Sequence, residues 1–156
     1  MGEALKRRIR QEAGFAGPSQ EAMLNLMVAA DHLRSLLDRV CEEFGVTHGQ
    51  YNVLRILRGV HPEGHPRCEI AARMLEKAPD VTRLVDRLEA QGLVERARSE
   101  ADRRLSITRI TGKGLALLEE MRPALEGVDR YFSEHVSRRD ARELSRICEG
   151  LYGEDD

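Results

Sequence analysis

Apolar residues recur in steps of three and four along most of this 156-residue chain, the spacing of helices that bury one side. Ser19, with Pro18 before it and Glu21 in the first turn, reads as an N-cap. The stripe it opens runs through Met23, Leu26, Met27, Ala30, Leu33, Leu37, Val40, Cys41 and Phe44 and closes at Gly45. Thr47-His48-Gly49-Gln50 has the form of a capping box, with Val46 and Tyr51 placed to staple it. The helix it starts would bury Val53, Leu54, Ile56 and Leu57 and end at Gly59. His61-Pro62-Glu63-Gly64-His65-Pro66 reads as a rigid loop, because two prolines restrict the backbone. A short helix carrying Ile70, Ala71, Met74 and Leu75 follows. Another starts near Pro79, which suits a first turn, buries Val81, Leu84, Val85 and Leu88, and stops at Gly92.

The period then changes. Leu93 to Arg98 and Leu105 to Ile110 suit two short strands, joined by the polar Ser99-Glu100-Ala101-Asp102-Arg103-Arg104. Thr111 caps a long helix with Leu115, Leu118, Met121, Leu125, Val128 and Phe132 on one side, which Pro123 is expected to kink. Ser137 with Asp140 starts a last helix, striped by Ala141, Leu144, Ile147, Cys148 and Leu151. The expected fold is mainly α with a small β-hairpin. Two close helices followed by a hairpin make a winged helix-turn-helix, and the first and last helices are too apolar along one side to stand alone.

Composition narrows the classes. No apolar run approaches the roughly 20 residues of a membrane span, and three cysteines without a CxxC pair make a poor disulfide framework, so a soluble cytoplasmic protein is expected. Aromatic residues are 4% with no Trp, which disfavours a stacking platform for single strands. The overall charge of −2 hides a segment, residues 65–113, with a net charge of +3. The cations there fall where a duplex would meet them. On the helix from Pro79 to Gln91 the side opposite the apolar stripe carries Asp80, Thr82, Arg83, Asp86 and Arg87. Arg can grip guanine O6 and N7 together, and Thr can meet a base edge or a thymine methyl. Arg96, Arg98, Arg103, Arg104 and Arg109 crowd the hairpin, a small element expected to have no core to support. Arginine at a wing tip suits the negative potential of a narrow minor groove, with Asp102 orienting a neighbouring arginine.

Taken together these strings resemble the MarR family of bacterial transcription regulators. The resemblance is carried by Glu69-Ile70-Ala71, by Val81-Thr82-Arg83-Leu84-Val85-Asp86-Arg87-Leu88-Glu89 and by Gly92-Leu93-Val94-Glu95-Arg96. Asp102-Arg103-Arg104 and Ile110-Thr111-Gly112-Lys113-Gly114 complete it, with Thr47-x-x-Gln50-Tyr51 upstream. It implies a homodimer whose terminal helices knit a dimerisation base, with two winged lobes on a pseudo-palindromic operator. It also implies recognition-helix contacts at Pro79, Asp80, Thr82, Arg83 and Arg87, and wing contacts at Asp102 and Arg104, which Arg98 and Arg103 flank. The expected organisation is an arm and first dimerisation helix over 1–46, a DNA-binding lobe over 47–113, and dimerisation helices over 114–156. Leu125, Val128, Phe132, Leu144, Ile147 and Leu151 would form the interface. The expected activity is repression by occupancy of double-stranded DNA, relieved by a small phenolic or lipophilic effector. His32, Arg55, Tyr51 and Met27 are candidates to line its pocket.

Three other readings compete with this one. Thiol gating is disfavoured because Cys41 and Cys148 sit in apolar stripes, where packing is the ordinary role. A metal gate on His61, His65 and Cys68 has usable spacing but no evident fourth ligand. A winged helix that binds only protein would not need an arginine-rich tip. No nucleophile, base and orienting group occur together, and no Gly-rich phosphate loop appears, so neither an enzyme nor a cofactor is expected.

Overall fold

Val53, Leu54 and Leu57, on the helix that Thr47 caps, are wholly excluded from solvent, and the main core is built around them. The computed structural model describes residues 2–76, 80–98 and 105–153. Its elements in order are α1 (Glu3–Ile9), α2 (Pro18–Glu43), α3 (His48–Arg58), β1 (His65–Pro66), α4 (Arg67–Arg73), α5 (Val81–Ala90), β2 (Val94–Arg98), β3 (Ser106–Ile110), α6 (Gly112–His135) and α7 (Arg138–Tyr152). Residues 1–39 and 40–156 form two compact units.

In the first unit, α1 is a helix that periodicity did not reveal. Seven residues with Leu5 buried and three cations in the last turn are too few to display a stripe. The expected Ser19 cap is displaced. The Glu21 amide donates to the Gly17 carbonyl at 3.2 Å, so Pro18 occupies the first helical position, where a missing N–H costs nothing.

In the second unit the Thr47 box is present in full. The Gln50 amide donates to Thr47 Oγ1 at 3.2 Å, and the Thr47 amide donates to Gln50 Oε1 at 2.8 Å. Ile70 of α4, Val81, Val85 and Leu88 of α5, Leu93, Val94 and Ile110 of the hairpin, and Leu118 and Met121 of α6 close around α3. Leu75, expected inside, is 78% exposed, because α4 ends at Arg73 and Met74 is the last side chain of this turn in the core.

The loop before α4 is more ordered than its prolines suggested. His65 and Pro66 pair with Thr108 and Ile107, making a third strand and the order β1-β3-β2. Gly64 permits this pairing, since its φ is +78° and a Cβ there would lie 2.3 Å from the Thr108 carbonyl oxygen. The hairpin does support a core: Val94, Thr108 and Ile110 are buried. Hydrophobic alternation missed this because Thr108 is polar and the strands carry arginines between their buried positions.

Thr111 caps α6 by accepting from the Gly114 amide at 3.1 Å, and its hydroxyl donates to the Gly92 carbonyl at 2.7 Å. The helix runs from Gly112 to His135 with Pro123 inside it. Ser137 caps α7 by accepting from the Asp140 amide at 3.2 Å. That last helix buries none of its residues: Ile147 is 48% and Leu151 69% exposed.

Candidate nucleic-acid interface

The site is assembled on α5. Asp80 caps it by accepting from the Arg83 amide at 3.2 Å, and pairs with Arg83 Nε at 3.4 Å. Asp80 was expected to face DNA, and here its carboxylate holds the helix start, which also places negative charge where the helix dipole favours it. The helix therefore begins at Val81, two residues beyond Pro79. Val81, Val85 and Leu88 are buried, with Leu84 half-buried against the core. Rotation about the helix then leaves Thr82, Arg83, Asp86 and Arg87 exposed on the opposite side.

Two arginines from other elements hold that face in place, and neither role was legible in the sequence. Arg67 Nη1, at the start of α4, donates to Thr82 Oγ1 at 3.0 Å. Arg96 of β2 reaches across to α5, hydrogen-bonding Asp86 Oδ1 and pairing with Glu89 Oε2 at 3.2 Å. Arg96 was expected among the wing cations facing a groove. Period-two alternation puts it on the same strand face as buried Val94, so it points back at α5 rather than outward. That alternation, together with acidic residues three apart on α5, was the available signal. Arg109 is likewise engaged, with Nε donating to the Glu63 carbonyl at 3.2 Å. Arg98 is exposed at the end of β2. Pro79, Asp102, Arg103 and Arg104 lie outside the described residues. Between α4, α5 and the sheet is a recess of about 380 Å³, bordered by Arg67, Cys68, Thr82, Arg96 and Ser106.

Residues 44–105 match the model of the MarR family. The crystal structure of a MarR transcription factor from Planctomyces limnophilus is 36% identical, with a TM-score of 0.68 over 87% of this chain and 98% of that one. The chain belongs to the MarR family of transcriptional regulators. Its winged-helix lobe is thus a DNA-binding fold, and the protein is a regulator of transcription rather than an enzyme. The HTH-type transcriptional regulator MhqR of Bacillus subtilis is 28% identical over 108 residues, which is 67% of this chain and 73% of that protein. The structure of the S. aureus MepR–DNA complex shares the fold, with a TM-score of 0.73 at 20% identity over 85% of this chain and 96% of that one.

The other candidate positions fall as follows. Leu125, Val128 and Phe132 of α6 are half-buried, and Leu144, Ile147 and Leu151 of α7 are exposed. Tyr51 and Arg55 of the MarR lobe come together with His48, Asn52, Ile56 and Arg73 around an open cleft of about 290 Å³. The Arg55 guanidinium lies 5.9 Å from the Tyr51 ring centre. Burial raises the Tyr51 phenol above its ordinary pKa, and Arg55 opposes part of that rise. His32 is half-buried and Met27 exposed, both on α2 in the first unit. Cys41 is buried, Cys148 half-buried and Cys68 exposed. Among the described residues no group of three His, Cys, Asp or Glu side chains is placed to hold a metal ion, so His61, His65 and Cys68 do not form the site their spacing suggested. No described helix is long and apolar enough to cross a membrane.

Proposed function

We propose that this MarR-family protein is a homodimeric repressor that occupies a pseudo-palindromic operator in double-stranded DNA and works in the cytoplasm. Thr82, Arg83 and Arg87 read bases in the major groove from the helix that Asp80 caps, with Pro79 beside them at the interface. Arg98, Arg103 and Arg104, oriented by Asp102, serve the neighbouring minor groove. The observation that carries this reading is the outward face of α5, exposed at Thr82, Arg83 and Arg87 while its other side is buried in the core. The DNA-bound MepR structure, alike in fold, supports the same presentation here.

The dimer rests on α7, whose apolar stripe of Leu144, Ile147 and Leu151 stays in solvent within one chain. With Leu125, Val128 and Phe132 of α6 it supplies a surface for a second copy, at the scale of about 2,000 Å² that obligate interfaces bury. Residues 1–46 and 114–156 then serve dimerisation and 47–113 serve DNA. The cleft at Tyr51, with a cation beside a half-buried phenol, suits a small phenolic or lipophilic effector that carries a negative group.

The test is selection of bound fragments from the source genome, followed by footprinting and sedimentation of the complex. Protection of two half-sites about 10 base pairs apart by a dimer is expected. A monomer in solution, or no affinity for any duplex at low salt, overturns the reading.

A further inference from the structure

Thr82 is the second residue of α5, in the part of a recognition helix that enters the groove first. Its hydroxyl has one proton and two lone pairs. The first residue of α4, Arg67, fills one lone pair, donating from Nη1 at 3.0 Å. A threonine inside a helix commonly gives its proton to the carbonyl four residues back. For Thr82 the residue four back precedes Val81, where α5 begins. Arginine cannot accept a hydrogen bond, so the proton turns away from the guanidinium. The bond joins residues 15 positions apart on different helices, so it is set by tertiary packing and not by local chain geometry.

We propose that Arg67 is a specificity-positioning residue: by donating to Thr82 Oγ1 it orients the threonine hydroxyl as a donor toward the duplex. The base edge read there is then an acceptor, a purine N7, guanine O6 or thymine O4. Arg67 itself needs no contact with a base. The inference rests on the DNA-binding reading above and adds to it which residue decides the sense of one hydrogen bond.

The experiment compares wild type, Thr82→Val, Arg67→Met, Arg67→Lys and the Arg67→Met/Thr82→Val double variant. Each is used to select sequences from a random duplex pool, and affinities for the preferred and altered sites are then measured across a range of salt. Arg67 is exposed, so its replacement leaves the core intact, and thermal melting checks this. Thr82→Val and Arg67→Met are expected to flatten base preference at the same position, each weakening the preferred site roughly three- to tenfold. The double variant should be no weaker than either, as for two residues acting through one bond. Arg67→Lys, which keeps a donor, should retain most of the preference, and the salt dependence should stay unchanged throughout. Uniform weakening on all sequences, a shallower salt dependence and full additivity would make Arg67 a phosphate contact and overturn the proposal. So would an Arg67→Met protein that selects as wild type does. A wild type that selects no sequence overturns the DNA-binding reading itself, and this inference with it; a wild type with clear preference isolates the failure to Arg67.

Discussion

Gly114 is the position where one added methyl group should do the most harm. It is the third residue of α6, and a Cβ there would lie 2.3 Å from the Leu93 carbonyl oxygen and 2.7 Å from Ile110 Cγ1. A carbon and a carbonyl oxygen approach no closer than about 3.3 Å, so α6 or the hairpin must retreat by about 1 Å. Neither can yield cheaply. Leu93 and Ile110 are buried, and the Thr111 cap ties the same turn to Gly92. Overpacking of this kind costs about 1–3 kcal/mol, and alanine's better helix propensity returns less than about 1 kcal/mol of it. Gly127, in the same helix, has open space where its Cβ would stand. Gly127→Ala should therefore stabilise by about 0.5–1 kcal/mol. Urea unfolding at one fixed protein concentration reads both. With a slope of about 2 kcal/mol per molar, Gly114→Ala should lower the midpoint by about 0.5–1 M and Gly127→Ala should raise it by about 0.3 M. A Gly114→Ala protein as stable as wild type, or two substitutions with the same sign, would refute the claim that α6 is seated on the hairpin at that glycine.

Other expectations are simpler. Arg83→Ala should cost about 1–3 kcal/mol of operator affinity and relax base preference, whereas Arg104→Ala should weaken all sequences alike and flatten the salt dependence; identical behaviour of the two would end that division of labour. Arg96→Met removes partly exposed ion pairs, so it should cost only about 0.5–1 kcal/mol of stability, or roughly 1–4 °C in Tm. Its loss of operator affinity should be several times larger, and equal losses would show that the strut merely stabilises. Ile147→Glu should give a folded monomer in sedimentation, and a persistent dimer would remove α7 from the interface. Tyr51 has its pKa raised by burial, so its contribution to stability is complete below the unfolded tyrosine value near 10 and is lost as pH rises through the folded one. Unfolding free energy should fall in that alkaline window, and Tyr51→Phe should make the fall shallower.

What the chain's own spacing reveals follows from which interactions are local. The Thr47 box, the Thr111 and Ser137 caps and the buried stripes of α3 and α5 depend on residues three or four apart, and those spacings are visible in one dimension. β1 was not visible, because a two-residue strand exists only through its partner Thr108, more than forty positions away. Arg96 looked like one more cation for the duplex, since its acidic partners belong to another element. Arg67 was overlooked for the same reason: nothing near it in the chain marks Thr82 as its acceptor. In this lobe the residues proposed to touch DNA announce themselves by type and helical phase. The residues that hold them in place do so through contacts between elements.

Those contacts bear on how a ligand could act. The reading helix is held by Arg67 from α4, by Arg96 from β2, and by Gln91, whose Nε2 donates to the Gly45 carbonyl at 3.0 Å. Undocking it would also return Val81, Val85 and Leu88 to water, at about 1.5–3 kcal/mol each. The coupling free energy between an effector and DNA is typically about 1–3 kcal/mol, too little to pull α5 from its bed. A small molecule of ordinary affinity must therefore leave each lobe whole and act on the spacing between the two lobes of the proposed dimer. There a displacement of a few ångströms misregisters both helices against a fixed operator without breaking a core contact. An inducer that lowers operator affinity while amide exchange in α5 stays as slow as in the free protein is the expected result, and faster exchange of Val85 and Leu88 on ligand binding would place the switch inside the lobe instead.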